Sequence, residues 1–389
     1  MLTQSRVASI PALRLDRFKN CSRVCFRQNQ IQVIEGLACL ASTLQDLDLY
    51  DNLISHLRGL DELTGLTSLD LSFNKIRHIK NIGHLKALKE LFLVANKIGT
   101  VENLDGLENL TSLELGSNRI REIQGLESLT GLEELWLAKN KITSLAGLGG
   151  LPNLRLLSIQ SNRIRDLSPL AEVSSLEELY ISHNSLMSVR GLESCKKLRI
   201  LEVSNNQITT LEGLSGLTEL EEVWASYNQL SDFNDVEREL KDKKKLTTVY
   251  FEGNPLQLRG PALYRNKVKL ALPQVVQIDA SKLSLSHVSV DDLTNLSYSV
   301  CQGNMTTRHG VDDINELRQP SVGSFSRFFF SRLSSAVSVR DAKTRRCILL
   351  HKTALSGTSF SPLFCAREGF FSHIVFSMST RQNRAPWKV

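Results

Sequence analysis

The chain has 389 residues, of which 41% are hydrophobic and 23% charged, and no apolar run reaches the roughly 18–20 residues that a membrane-spanning helix requires. Its formal charge of +6 is unevenly placed: residues from Ser281 onward hold 14 Lys and Arg against 7 Asp and Glu, while residues 1–280 hold 33 against 34. Seven cysteines, odd in number and without a CxxC pair, support neither a disulfide framework nor a zinc site, and eight scattered histidines show no metal-ligand spacing, so no metal or cofactor is expected.

In chain order, "MLTQSRVASIPALRLDRF" has basic residues and no acid before Asp16, a faint transit-peptide character. It lacks the apolar core of a secretory signal and is read as a short N-terminal segment, 1–12. The sequons at Asn20 and Asn109 then carry no meaning. From Leu13 a pattern sets in, with "LDRFKNCSRV" (15–24) in register with "LDELTGLTSL" (60–69). One motif, LxLxxNxI, then recurs as "LDLYDNLI" (47–54), "LDLSFNKI" (69–76), "LFLVANKI" (91–98), "LELGSNRI" (113–120), "LWLAKNKI" (135–142), "LSIQSNRI" (157–164), "LYISHNSL" (179–186), "LEVSNNQI" (201–208) and "VWASYNQL" (223–230). Its asparagines run from Asn52 to Asn228 in steps of 22; a first copy, "VCFRQNQI", sets Asn29 one residue out of step, and a last, "VYFEGNPL", sets Asn254 after a 26-residue step.

Eleven copies over 13–260 predict a leucine-rich-repeat solenoid of α/β class. Each LxL is a short strand, stacked at about 4.8 Å into a parallel sheet lining a concave face. The leucines turn inward, and no single repeat can bury its apolar side without neighbours. The inward asparagine can donate and accept, so it can satisfy backbone groups that the turn leaves unpaired. With 22 residues per coil there is little room for an α-helix, so 3₁₀ or irregular segments are expected on the convex side. Cys21 and Cys195 fall where other repeats place leucine and read as buried thiols. "PALYRNKVKLALPQVVQIDA" breaks the period as a helix and short strand, a C-terminal cap over 261–283. The remainder, 284–389, is Ser-rich, basic and without period, and reads as a disordered tail; contact of its basic aromatic stretch with membrane or nucleic acid is the alternative.

The residues between and just before the strand leucines project from the open face. The central row is Asp48, Asp70, Phe92, Glu114, Trp136, Ser158, Tyr180, Glu202, Trp224 and Tyr250; the row before it includes Asp46, Glu90, Glu134, Glu178 and Glu222. Together, from the second repeat onward, these rows hold nine carboxylates, five large aromatics and no lysine or arginine. Carboxylates could simply keep a sheet face soluble, but five aromatics in one file are the composition of a protein-binding hot spot. The acidic field suits a basic protein surface and repels nucleic acid. The carboxylates are strung along a ladder rather than paired in a pocket, and no catalytic motif occurs, so the protein reads as a non-enzymatic scaffold, monomeric in itself, with no membrane partner.

The repeats, together with "LDLYDN", "LFLVANKI", "LELGSNRIR", "KNKIT", "SNRI", "SHN" and the cap "YRNKVKLALPQVVQID", resemble the leucine-rich-repeat regulatory subunit 7 family of type-1 serine/threonine protein phosphatase. The likeness runs from about Leu15 to Ala280. It implies a nuclear and cytoplasmic protein, with roles in mitosis, that grips the phosphatase catalytic subunit through the concave face. Carried over motif by motif, the implied contacts are Asp70, Phe92, Glu114, Trp136 (where the family usually has phenylalanine), Glu202 (usually aspartate), Glu222, Trp224 and Tyr250; the row read from the residues adds Asp48 and Tyr180. An adaptor of the same fold for a cytoskeletal or ribonucleoprotein partner is the competing expectation. The chain departs from the family in beginning almost at the first repeat, without an acidic segment before it, and in carrying about a hundred unrelated residues after the cap. "RVCF" (23–26) fits the short RVxF form by which many regulators dock this phosphatase, but in register Val24 and Phe26 point inward and are expected to be buried.

Overall fold

The structure, a computed structural model, describes residues 1–18 and 20–282. The tail expected over 284–389, with Cys301, Cys347 and Cys365, lies outside the described residues. One sheet takes every strand of the described residues in chain order. Its members are β1 (Arg23–Cys25), β2 (Asp46–Asp48), β3 (Ser68–Asp70), β4 (Glu90–Phe92), β5 (Ser112–Glu114), β6 (Glu134–Trp136) and β7 (Leu156–Ser158). The order continues with β8 (Glu178–Tyr180), β9 (Ile200–Glu202), β10 (Glu222–Trp224), β11 (Thr248–Tyr250), β12 (Gln277–Ile278) and β13 (Ser281–Lys282). Pairing is parallel and in register from β1 to β12, so that Leu69 faces Leu91 and Leu113 faces Leu135; only β13 turns back antiparallel on β12.

Strands of three residues hold because the coil around them is filled with leucine. Ile79, Ile82, Leu85, Leu88, Leu91 and Leu93 of one coil are all fully buried, each contributing about 1.5–3 kcal/mol. The asparagine behaves as its chemistry predicts and also staples neighbours. Asn74 Nδ2 donates to Leu71 O and Ser72 O of its own coil and to Leu49 O of the coil before, at 3.0–3.1 Å. Its Oδ1 accepts from Ile54 N of that earlier coil at 2.9 Å. Before each asparagine the chain takes a left-handed turn, on a non-glycine residue such as Phe73 (φ 57°), Ala95 (φ 52°), Ser117 (φ 56°) or Lys139 (φ 56°) in every coil but the last, where Gly253 (φ 72°) precedes Asn254. Such a conformation costs on the order of 1 kcal/mol or more, and the asparagine bonds on either side hold it in place.

Departures from the 22-residue step have local causes. In the first coil the spacing Leu37, Leu40, Leu44 inserts one residue into the usual three-residue rhythm, while Asn29 makes the same bond to its own turn, Nδ2 to Phe26 O at 3.0 Å. The 26-residue step accommodates α1 (Phe233–Leu240), capped by Asp232, whose carboxylate accepts from Asn234 N at 2.8 Å. A convex side of 3₁₀ and irregular segments alone is therefore corrected at this coil: four additional residues suffice for two helical turns. Elsewhere the outer side consists of turns with short 3₁₀ stretches such as Ser168–Glu172.

Both ends of the sheet are covered. Leu2 N donates to Cys25 O at 2.9 Å and Gln4 N to Arg27 O, so the first residues run along the free edge of β1. At the other end α2 (Pro255–Leu258) and α3 (Pro261–Ala271) precede β12. Asp279 closes the last coil there, its Oδ1 accepting from Phe251 N at 2.9 Å, Glu252 N at 3.1 Å and the buried Tyr264 hydroxyl at 3.2 Å. Val24 and Phe26 of "RVCF" are buried, which removes them from docking as an extended segment. Cys195 is fully buried among leucines, where burial pushes its thiol up to about 11. The expectation for Cys21 is corrected: it is only partly buried, because the first coil has no earlier coil to cover it.

Candidate partner-binding face

The register places the central row in a single file. Asp48 faces Asp70, Phe92 faces Glu114, Glu114 faces Trp136, Tyr180 faces Glu202, and Glu202 faces Trp224, which faces Tyr250. The middle residue of each strand from β1 to β11 is buried while Asp48, Asp70, Phe92, Glu114, Trp136, Trp224 and Tyr250 are partly exposed. Trp136 therefore stands on the open face. Its indole N–H is buried against that face without an acceptor among the described residues.

Tyr180 and Glu202 do not stand free as the alternation predicts. Tyr180 is 7% exposed and Glu202 2%. The Tyr180 hydroxyl donates to Glu178 Oε2 at 2.8 Å. The Glu202 carboxylate accepts from Ser182 N at 3.2 Å and Ser204 N at 3.1 Å; burial raises its pKa, and these bonds hold the rise back. Large rings on the flanking strands cover the shorter carboxylate between them. Glu202 thus shapes the floor of this stretch, and Tyr180 lies folded over the face.

Three features of the face differ in chemistry. At its start Arg27, from the turn after β1, sets Nε 2.5 Å from Asp48 and Nη2 2.9 Å from Asp70, with its guanidinium 4.6 Å from the Tyr50 ring centroid. Burial, and then the neighbouring Asp70 charge, raise the Asp48 pKa, against which Arg27 works. In the middle Glu114 lies between Phe92 and Trp136. Burial pushes its carboxyl up to about 8, with the charges of Asp70, Glu134 and Glu90 adding to the rise. At the far end Trp224 Nε1 donates to Glu222 Oε2 at 3.0 Å, and the Trp224 and Tyr250 rings lie 5.4 Å apart. The Tyr250 hydroxyl accepts from Gln277 Nε2 at 2.6 Å. This is a rigid aromatic corner with its acid already oriented.

Arg27 was not visible in the two rows read from sequence. It belongs to a third file, one residue beyond the second inward position, shared with Tyr50 and Ser72, and only its length brings it back over Asp48 and Asp70. Among the described residues no group of His, Cys, Asp and Glu is arranged to hold a metal ion, and no helix is long and apolar enough to cross a membrane.

A parallel solenoid with an asparagine ladder is the architecture of leucine-rich-repeat proteins, and known proteins share it. Models described as "Leucine Rich repeats (2 copies)" match residues 108–148, 130–172 and 174–216, and one described as "Leucine Rich repeat" matches 63–77. An internalin from Listeria monocytogenes superposes with a TM-score of 0.61 at 28% identity, covering 72% of this chain and 78% of the internalin. Among curated proteins, the chain is 48% identical over 86 residues to protein phosphatase 1 regulatory subunit SDS22 of Saccharomyces cerevisiae, covering 22% of this chain. It is 65% identical over 51 residues to the subunit of the same name in Schizosaccharomyces pombe, covering 13% of this chain. These matches span a quarter or less of the relatives' own length, 25% and 15%.

Proposed function

We propose that the protein is a non-catalytic regulatory subunit of protein phosphatase 1, binding the catalytic subunit through the open, concave face of its sheet. The observation that carries this reading is the single file in which Phe92, Trp136, Trp224 and Tyr250 stand, partly exposed, among carboxylates. Relatives named as regulatory subunits of that phosphatase support it. Aromatic anchors on a rigid sheet lose little entropy on docking, and the acidic field steers a basic surface toward them. Phe92, Glu114 and Trp136 form one anchor cluster; Glu222, Trp224 and Tyr250 form the second. Asp70 and Asp48 contribute with Arg27 between them, and Tyr180 and Glu202 support the stretch that joins the clusters. Residence in nucleus and cytoplasm and a part in mitosis belong to the same proposal.

The test is recovery of the phosphatase catalytic subunit on the immobilised full chain, compared with a Trp136→Ala/Trp224→Ala variant. Truncating two anchors is expected to cost about 4 kcal/mol, roughly a thousandfold in affinity. Equal recovery by parent and variant would remove the open face from the account.

A further inference from the structure

The two edges of the sheet carry opposite designs. On the edge entering the strands, signs alternate and neutralise one another. Arg155 lies 3.7 Å from Glu133 and 2.9 Å from Glu177, and Arg199 lies 2.9 Å from Glu221. On the edge leaving the strands, the residue after each ladder asparagine is Lys75, Lys97, Arg119, Lys141 and Arg163 in five successive coils. Each is fixed by the same bond, its backbone N–H donating to the preceding coil at 2.8 Å, from Lys75 N to Ile54 O through Arg163 N to Ile142 O. Their side chains therefore rise in one file at about 4.8 Å per step, some 19 Å in all. None of the five forms an ion pair with a described residue. Exposed Arg77, Arg121 and Arg165 flank the file, against exposed Glu122 and Asp166, and Asp166 is already engaged by Ser168 N at 3.0 Å. Like charges at this spacing repel, yet the opposite edge shows that alternation is available to this fold.

We infer that this edge is a second interaction surface, which takes a short acidic segment of a protein partner laid along Lys75, Lys97, Arg119, Lys141 and Arg163. The file is bounded by Leu53 before it and by Ser185, Gln207 and Gln229 after it, so it matches an extended run of about six residues. A longer polyanion would run off the cations, and the carboxylates of the neighbouring open face repel one that strays. The contact is electrostatic and weakens with salt. It is independent of what docks on the open face.

A labelled hexaglutamate peptide titrated into the full-length protein, followed by fluorescence anisotropy at low and physiological salt, tests this. Lys97→Glu/Arg119→Glu/Lys141→Glu is expected to weaken binding about tenfold or more, and a charge-matched Lys86→Glu/Lys89→Glu/Lys197→Glu variant by less than about threefold. All six positions are exposed or partly exposed, and matching thermal unfolding verifies that both variants fold. Equal losses in the two variants, or no loss in the first, would overturn the surface. Tighter binding of a single-stranded oligonucleotide of similar charge through the same three cations would overturn the choice of partner.

Discussion

Glu114 shows how the open face stores electrostatic energy. Its carboxyl is pushed up to about 8 from 4.5 by burial and by surrounding acids. Between those values the folded protein keeps a proton that the unfolded chain has released, so folding is favoured less as pH rises across the window. Glu114→Gln has no such proton to lose. Its stability relative to the parent is expected to rise between about pH 5 and pH 8.5, by on the order of 1 kcal/mol for this partly buried group. Urea unfolding midpoints at the two pH values check this, and an unchanged difference would show that Glu114 titrates as an ordinary carboxylate. A partner's cation placed between Phe92 and Trp136 would make the charged form favourable. Asp70, at the same motif position, has a cation beside it in Arg27.

Among the repeating elements, the turn that closes each strand matters more than the strand. Asn118 donates to Leu93 O, Leu115 O and Gly116 O at 2.9–3.2 Å and accepts from Ile98 N at 3.0 Å. Asn118→Ala leaves a buried amide and buried carbonyls without partners and is expected to cost roughly 2–4 kcal/mol, read from denaturant unfolding. A loss below about 0.5 kcal/mol would mean that water replaces the amide. This element was largely legible in the sequence, because asparagine at a fixed step can be placed by counting and its hydrogen-bonding capacity is known. The strand register and the inward leucines were legible for the same reason. The left-handed residue before it was not, since Phe73, Ala95, Ser117 and Lys139 share no side-chain chemistry and the constraint acts on the backbone. Nor were the burial of Tyr180 and Glu202, which depends on neighbouring rings across strands, and the return of Arg27 over Asp48, which depends on side-chain reach. Helix α1 could have been found in the extra residues of the last long coil, where Asp232 offers a cap three residues before Asp235.

Across the array, stability is a sum of coil–coil interfaces, so the ends decide whether it stays closed. The buried residues Tyr264, Val268, Leu272, Val275 and Ile278 cover the last coil. A chain ending after Gly260 is expected to lose that cover and the three bonds to Asp279, and to unfold at a temperature at least several degrees lower with a broader transition. A chain ending after Lys282 keeps them and is expected to melt as the parent's repeat array does. Thermal unfolding by circular dichroism separates the two; identical melting of both truncations would show that the cap contributes nothing.

The asparagine ladder has a direction. The amide of Ile54 is satisfied only by Asn74, that of Ile76 only by Asn96, and that of Ile98 only by Asn118, so every coil is completed by the one synthesised after it. A nascent chain leaving the ribosome consequently carries one unfinished turn at its growing tip, handed forward until Asn254 receives the amide of Leu230. Cutting the array between two coils therefore opens different groups on each side: the upstream piece loses the acceptor for an amide such as Ile54 N, and the downstream piece loses the carbonyls that take its asparagine amide and the backbone N–H after it.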